Sequence, residues 1–158
     1  MIITEANVVD AHEILLLQKK AYISEAEIYN DFLIPPLVQT LDEIKKEFEE
    51  CVFLKAVDNG QIIGSVRASL DDSGTCYIGK LIVHPDFQNQ GIGTGLMNKI
   101  EALFEDCDNF ELFTGHNSLK NIKLYEKLGY NRYKIEKIKD GLCFIYFRKN
   151  SRDIVEGE

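Results

Sequence analysis

A glycine-rich turn that follows an apolar strand constrains this chain more than any other feature. Residues 81–83 are apolar, a polar loop follows, and Gly91 and Gly93 begin an amphipathic helix. The first backbone N–H groups of a helix have no partner within the helix, and the helix dipole adds positive potential there. Glycines at this point let a ligand approach the backbone closely. The pattern predicts a site for the phosphate or pyrophosphate of a cofactor.

Two other glycine-rich phosphate-binding motifs fit the sequence poorly. A P-loop requires a lysine beside its last glycine, and the first lysine after this turn is Lys99. A dinucleotide fingerprint requires G-x-G-x-x-G directly after a strand, with an acidic residue about twenty positions further on. Glu111 meets the last requirement, but the glycines read G-x-G-x-G and the polar segment 84–90 separates them from the strand.

The composition is that of one acidic globular domain. The chain has 158 residues, a length that predicts a single domain. We place this domain over 1–150 and a polar tail over 151–158. The net charge of the chain is −8. The acidic balance argues against nucleic acid as a partner, and no apolar run reaches membrane-spanning length. The four cysteines lack metal-ligand spacing, so we expect no metal. Because the first residues lack a signal-peptide pattern, we expect a cytoplasmic protein.

Periodicity and turn signals predict the element order β-α-α-β-β-β-α-β-α-β-β. Asn7 is a candidate cap of the first helix, and Thr40 begins a candidate capping box for the second. Asn59-Gly60 and Asp140-Gly141 are hairpin signals. Strands are predicted at 2–5, 52–58, 61–70, 75–83, 110–114, 131–138 and 142–148. This order predicts an α+β domain with a mixed, mostly antiparallel sheet.

Two signatures make the sequence resemble the GNAT superfamily of N-acetyltransferases. Q-N-Q-G-I-G at 88–93 matches [QR]-x-x-G-x-[GA], the acyl-CoA pyrophosphate loop of that family, and His84-Pro85 before it is similar to the family's junction of strand and loop. L-Y-E-K-L-G-Y at 124–130 resembles the second signature, L-Y-x-x-x-G-[FY]. The element order also resembles the family over nearly the whole chain. The resemblance implies a sheet with helices on both faces and a splayed central strand pair.

The resemblance assigns acetyl-CoA, the acetyl donor, to the splayed strands and the glycine turn. Gly91 and Gly93 would offer N–H groups to the pyrophosphate, and Thr94 would bond either a phosphate or the helix backbone. The strand before the turn would bind pantetheine through its main chain. Asn121 would contact the pantetheine or phosphate region, whereas Ser118 is a candidate helix cap. The implied cofactor-binding residues are Leu81, Ile82, Val83, Gln88, Asn89, Gln90, Gly91, Ile92, Gly93, Thr94 and Asn121.

Tyr125 is the catalytic residue that the resemblance implies. Its hydroxyl would lie near the thioester sulfur and protonate the departing CoA thiolate. The acceptor would be a primary amine, of a small molecule or of a peptide or protein, that attacks the thioester directly. Family members frequently have an acid where this chain has Gly79-Lys80, and an interior glycine often marks a bulge or a close backbone approach. The general base therefore stays open between Glu111, a water chain and the histidines His12, His84 and His116.

The acceptor pocket and the assembly are less constrained. Segment 22–36 contains both acidic and aromatic residues. This mixture suits a pocket for an acceptor that has an amine on an apolar body, and it equally suits a helix extension whose acids face solvent. Phe144, Tyr146 and Phe147 in the final hairpin would form a homodimer edge, and alternating burial explains them equally well. A second interpretation of the chain is a non-catalytic acyl-CoA-binding or sensory module. The missing strand carboxylate favours that interpretation, and Tyr125 argues against it.

Overall fold

The computed structural model describes residues 1–153, which form one α+β domain. The strands are β1 (Ile2–Ala6), β2 (Val52–Asp58), β3 (Gln61–Leu70), β4 (Thr75–Val83), β5 (Asn109–Gly115), β6 (Asn131–Lys139) and β7 (Leu142–Asn150). The helices are α1 (Ala11–Ala21), α2 (Ile23–Tyr29), α3 (Pro35–Val38), α4 (Leu41–Glu50), α5 (Ile92–Leu103) and α6 (Leu119–Lys127). The predicted tail begins with a 3-10 turn at Ser151–Asp153, and its remainder lies outside the described residues.

One sheet of seven strands has the order β1-β2-β3-β4-β5-β7-β6. Every pair is antiparallel except β4 and β5, which run parallel. That parallel pair is hydrogen-bonded only where residues 75–77 face residues 109–111. Beyond these residues the two strands separate, so the sheet opens at its centre into the splay that the sequence predicted.

Helices cover both faces of the sheet and create two hydrophobic clusters. The larger cluster lies under α5 and α6 and includes Leu96, Phe110 and Phe147. The smaller cluster lies under α1 and α4 and includes Ile14 and Phe53. Strand residues alternate between the two, as the period of a β-strand requires. The predicted fold class, with a mostly antiparallel sheet and helices on both faces, is confirmed.

A β-bulge interrupts β4 beside the splay. The β3–β4 register pairs Ser65 with Ile82 and then Arg67 with Gly79, so one residue of β3 faces two of β4. Lys80 lies in this bulge with a positive φ of 48°, a conformation that costs free energy for a residue with a side chain and that is often found at functional sites. The sequence signal at Gly79 therefore marks a bulge, and the bulge redirects the next side chain.

Two details differ from the sequence interpretation. The segment between the first two predicted helices contains α2 and the short helix α3, whereas the sequence showed only a loosened pattern there. Phe147 is fully buried in the larger cluster, so it contributes to the core and offers nothing to the suggested dimer edge. Within residues 1–153 no helix is both long enough and apolar enough to cross a membrane.

Candidate active site

A cavity of about 710 Å³ occupies the splay between β4 and β5. One wall is the β4 segment 78–81, and the opposite wall is the β5 segment 111–115. Asn121 and Tyr125 of α6 and Glu25 of α2 also line it. Of the residues predicted to bind acetyl-CoA, Leu81 and Asn121 line the cavity, whereas Ile82, Val83 and the loop residues 88–94 do not.

The glycine turn forms the N-terminus of α5 beyond the end of β4. Gly91 is the N-cap in the left-handed conformation, with a φ of 79°, and no side chain caps the helix. A Cβ built at Gly91 would meet no atom within 4 Å, so this side of the turn is open. Asn89 also has a positive φ of 63°, which turns the polar loop toward the helix. The first N–H groups of α5 are therefore available to a ligand.

The other residues of the predicted cofactor loop differ in burial, and the start of α5 packs beside α6. Ile92 is buried in the larger cluster, whereas Gln88 and Thr94 are half-buried and Asn89 and Gln90 are exposed. A Cβ at Gly93 would lie 3.6 Å from Leu124 of α6, so the start of α5 packs next to the second signature helix. The two signature segments, distant in sequence, are adjacent in space.

The last part of β4 offers its backbone to the splay. Leu81 and Val83 pack against the larger cluster, and Ile82 lies in the smaller cluster on the opposite face. From Ile78 onward β4 pairs with β3 on one side and has no β5 partner on the other. The unpaired edge can accept an extended ligand as an added strand.

Tyr125 lies on α6 at the inner wall of the cavity. The residue is 6% exposed and packs against Tyr130 and Phe147, with ring centroids 6.1 and 5.9 Å away. Burial, with smaller contributions from Tyr22 and Glu25, raises the pKa of its hydroxyl well above the usual range. Tyr125 therefore keeps its proton at neutral pH.

Asn121 and Ser118 both direct their polar groups toward Glu25 of α2. The Ser118 hydroxyl donates to one carboxylate oxygen at 2.5 Å, and the Asn121 amide lies 3.4 Å from the other. The Asn121 amide also donates to the Thr114 hydroxyl at 3.3 Å. Ser118 occupies the N-cap position of α6 but makes no side-chain capping bond, so the predicted capping role is wrong. Its side chain instead fixes a carboxylate at the cavity wall.

Glu25 is a functional candidate in segment 22–36, which the sequence left open between an amine-binding pocket and a helix extension with solvated acids. It is half-buried, whereas its neighbour Glu27 is exposed. No ion pair reaches Glu25 in the part of the chain that the structure describes. A carboxylate held by neutral donors beside a protonated tyrosine can accept a proton.

Tyr29 anchors α2 to the same wall. Its hydroxyl accepts a hydrogen bond from the Asn117 backbone N–H at 3.0 Å and lies 2.8 Å from the Ser118 hydroxyl. The ring of Tyr29 lies so close to Gly115 that a Cβ there would overlap it. Gly115 is therefore required for the close approach of α2 to the end of β5.

The other candidate bases have structural partners. Glu111 is paired with Arg148, whose Nε lies 2.8 Å from the carboxylate, and it sits where β4 and β5 are still paired. The Nδ1 of His116 accepts from the Cys143 N–H at 2.9 Å, and that of His84 accepts from the Asp86 N–H at 3.0 Å. His12 is exposed on α1. None of the three histidines lines the cavity.

A second charged group lies on the α4 side of the cavity. It contains Arg67 of β3, Lys80 of the bulge and Glu47 of α4, all of which line the cavity. Nothing in the sequence indicated that Arg67 or Glu47 would line the cavity. The sequence singled out Lys80 only because Gly79-Lys80 stands where family members frequently have an acid. Within residues 1–153 no group of three or more His, Cys, Asp or Glu is placed to hold a metal ion.

The splayed strands, the uncapped glycine turn and the buried tyrosine form the arrangement that the sequence resemblance implies, and comparison with known proteins identifies the family. A sequence model of the Acetyltransferase (GNAT) family matches residues 13–130. The chain therefore belongs to the GNAT acetyltransferase family, as the two signatures predicted. The UPF0157 protein YqkA of Bacillus subtilis (strain 168) is 31% identical over 146 residues. That match covers 92% of this chain and 42% of YqkA, so the chain spans less than half the length of this relative.

Solved structures share the whole architecture. The protein smu.2055 from Streptococcus mutans UA159 has a TM-score of 0.83 at 18% identity, over 96% of this chain and 99% of that one. The PaiA N-acetyltransferase from Thermoplasma acidophilum, solved in complex with coenzyme A, has a TM-score of 0.78 at 16% identity, over 95% of this chain and 99% of that one. These likenesses establish the fold over nearly the full length of the chain.

Proposed function

We propose that this protein is an N-acetyltransferase that moves the acetyl group of acetyl-CoA to a primary amine. The observation that carries the proposal is one cavity, between separated parallel strands, that is lined by both a buried neutral tyrosine and an unpaired carboxylate. Membership of the GNAT family supports acetyl transfer. The coenzyme A complex of the PaiA relative supports acetyl-CoA as the donor.

The residues around the splay fit acetyl-CoA. The open space at Gly91 and the free N–H groups of α5 suit a pyrophosphate. We assign that group to the loop residues 88–94, and the pantetheine arm to the main chain of residues 81–83. The Asn121 amide nitrogen is occupied by Glu25 and Thr114, which leaves its carbonyl oxygen for the pantetheine.

Acetyl transfer needs a proton acceptor for the amine and a proton donor for the thiolate. As the N–C bond forms, Glu25 takes a proton from the attacking nitrogen. As the C–S bond breaks, Tyr125 gives its proton to the sulfur, so the products are the N-acetyl amide and free CoA. Solvent then returns the proton from Glu25 to Tyr125. Holding both substrates in one cavity can supply roughly 7–11 kcal/mol of the barrier reduction.

Paired substitutions test these two roles. We expect Tyr125→Phe to lower kcat about 100-fold or more, because general acid catalysis is worth roughly 10²–10⁴-fold, with the Kd of CoA unchanged. Tyr130→Phe is the matched control, since it removes another buried hydroxyl of the same cluster. Glu25→Gln should lower kcat with the Kd of CoA unchanged. Glu27→Gln, on the exposed side of α2, should leave kcat at the wild-type value.

Ligand-induced stabilisation tests the donor independently of turnover. A ligand at about 100 times its Kd stabilises the fold by about 2.7 kcal/mol, which is about 5–11 °C in Tm for a domain of this size. We expect this shift with acetyl-CoA and with CoA, and none with NADH. A shift without acetylation across a broad amine panel would favour the non-catalytic binding module, and a shift with NADH alone would overturn the proposal.

A further inference from the structure

Two cations share one carboxylate on the α4 side of the cavity. Glu47 receives Arg67 Nη1 at 2.9 Å on one oxygen and Lys80 Nζ at 3.0 Å on the other. The neutral groups around them are the amides of Gln18 and Gln39, which accept from Arg67 Nη2 and Lys80 Nζ at 2.8 and 3.3 Å. The cluster therefore carries one positive charge more than its own carboxylate neutralises.

Arg67 is buried without all of its donors being satisfied. Its side chain is only 4% exposed, and its guanidinium lies 4.3 Å from the centre of the Phe53 ring. Its Nε is the buried side-chain nitrogen that lacks any partner within residues 1–153. A buried cation with an unmatched donor is costly unless something compensates for it. Within residues 1–153 Glu47 is the carboxylate that pairs with Arg67 and Lys80, and Glu43 of α4 interacts with Lys80 from beyond ion-pair distance.

The bulge of β4 brings Lys80 to this cluster. Ile78 and Leu81 both contact the larger cluster although they are three positions apart, so Lys80 is the additional residue that the bulge inserts. Its side chain turns toward Glu47 of α4 and remains 26% exposed at the cavity wall. Burial and the charge of Arg67 lower the pKa of Lys80, and Glu47 opposes them.

The cluster and the proposed reacting groups line the same cavity: Arg67 and Lys80 lie on its α4 side, and Glu25 of α2 and Tyr125 of α6 also line it. Tyr22 belongs to the same lining, and burial raises the pKa of its hydroxyl to about 12, with smaller opposing effects of Arg67, which lowers it, and Glu25, which raises it. A small molecule in this cavity can therefore contact both Glu25 and Lys80.

We propose that Lys80, backed by Arg67, binds a carboxylate of the acceptor, so that the substrate is an amine that also carries a carboxylate. This inference rests on the proposed function, because it places the amine at Glu25 and the acetyl donor in the splay. A carboxylate adds a negative charge beside the two cations and takes the one Lys80 N–H that Glu47 and Gln39 do not use. A cavity with a carboxylate at Glu25 and a second cation beside Glu47 on its α4 side has the electrostatics for such a zwitterion.

Matched acceptors test the carboxylate requirement. The panel consists of L-α-amino acids, β-alanine and γ-aminobutyrate, each compared with its own carboxamide, so that the amine stays and the negative charge is removed. Release of free CoA thiol gives kcat and KM, and thermal unfolding in the presence of CoA gives binding without turnover. We expect at least one acid to bind and to react with a KM roughly ten- to a hundredfold below that of its carboxamide, the range of one charge-assisted hydrogen bond.

Lys80→Met is the informative variant, and Lys55→Met is its control. Lys55 also pairs with one carboxylate, that of Asp10 at 3.0 Å, and is 23% exposed, but it does not line the cavity. We expect Lys80→Met to remove the preference for the acid by raising the KM of the acid to that of the carboxamide. Lys55→Met should retain the wild-type preference.

Three results would overturn the inference. The first is a wild type that binds or acetylates carboxamides as well as the acids. The second is an equal loss of kcat for both members of each pair in Lys80→Met, which would indicate that Lys80 is a base or a purely structural residue. The third is an absence of both binding and acetylation for every acid in the panel. Binding of an acid without acetylation would support the carboxylate site and count against the proposed transferase.

Discussion

A buried ion pair between α5 and β7 gives the most quantitative prediction about the fold. Lys149 Nζ donates to Glu101 at 2.8 Å, and the two side chains are only 4% and 3% exposed. The Tyr130 hydroxyl donates to the other carboxylate oxygen at 2.7 Å. The pair ties the helix that begins with the glycine turn to the strand beyond β5, on the side away from the cavity.

Removing one partner leaves the other charge buried. We expect Glu101→Gln and Lys149→Met each to cost about 3–5 kcal/mol of the free energy of unfolding, the usual cost of breaking a buried pair. For a domain of this length, that corresponds to a Tm lower by about 6–20 °C. The double variant leaves no uncompensated charge, so its cost should be smaller than the sum of the two, with a coupling energy of about 2–3 kcal/mol.

Urea unfolding monitored by far-ultraviolet circular dichroism measures all three variants and the wild type under the same conditions. Unchanged m-values are required, because a changed m-value would mean that the denatured state had changed. The reasoning is refuted if each single variant loses less than about 1 kcal/mol, the value typical of an exposed pair. Additive costs in the double variant would refute it equally, because they would mean that the two side chains act independently.

Two further predictions concern the acceptor side of the cavity. Gly115→Ala should displace the Tyr29 ring and α2, raising the acceptor KM while the Kd of CoA stays the same; a higher Kd for CoA with an unchanged acceptor KM would contradict this. Ultraviolet titration of the phenolates should show Tyr22 ionising near pH 12, since burial raises its pKa to about 12. The protonated Tyr22 therefore contributes fully to the free energy of unfolding below pH 10, and this contribution is lost as the pH rises from 10 to 12. The variant Tyr22→Phe should lack this loss of stability between pH 10 and 12. The same loss of stability in Tyr22→Phe would mean that another group causes it.

The features that the sequence predicted well are those set by nearby residues. The capping box at Thr40 forms as expected, with the Thr40 hydroxyl accepting from the Glu43 N–H. The helix start at Gly91 and the number and order of the seven strands also depend on short-range patterns, and both were predicted. Each of these features combines a turn or cap residue with a periodic apolar segment, so a local pattern is enough to define it.

The acceptor side was not predictable in the same way. The contact between Glu25 and Asn121 joins residues 96 positions apart, and nothing in the segment 22–36 distinguishes Glu25 from Glu27. Only the packing of Tyr29 against Gly115 turns one acid into the cavity and leaves the other in solvent. Gly79 did signal a bulge, but the direction of the Lys80 side chain depends on the register with β3, which is a tertiary property.

This difference has a consequence for how the site can be changed. The proposed donor side is built from one continuous segment, residues 81–94, together with α6, whereas the proposed acceptor side is assembled from β3, the bulge of β4, α2 and α4. The two meet only along the splay and at Tyr125. Substitutions at Lys80 or Gly115 should therefore alter the choice of acceptor with the affinity for acetyl-CoA preserved, because neither residue belongs to the segment or the helix that we assign to the donor.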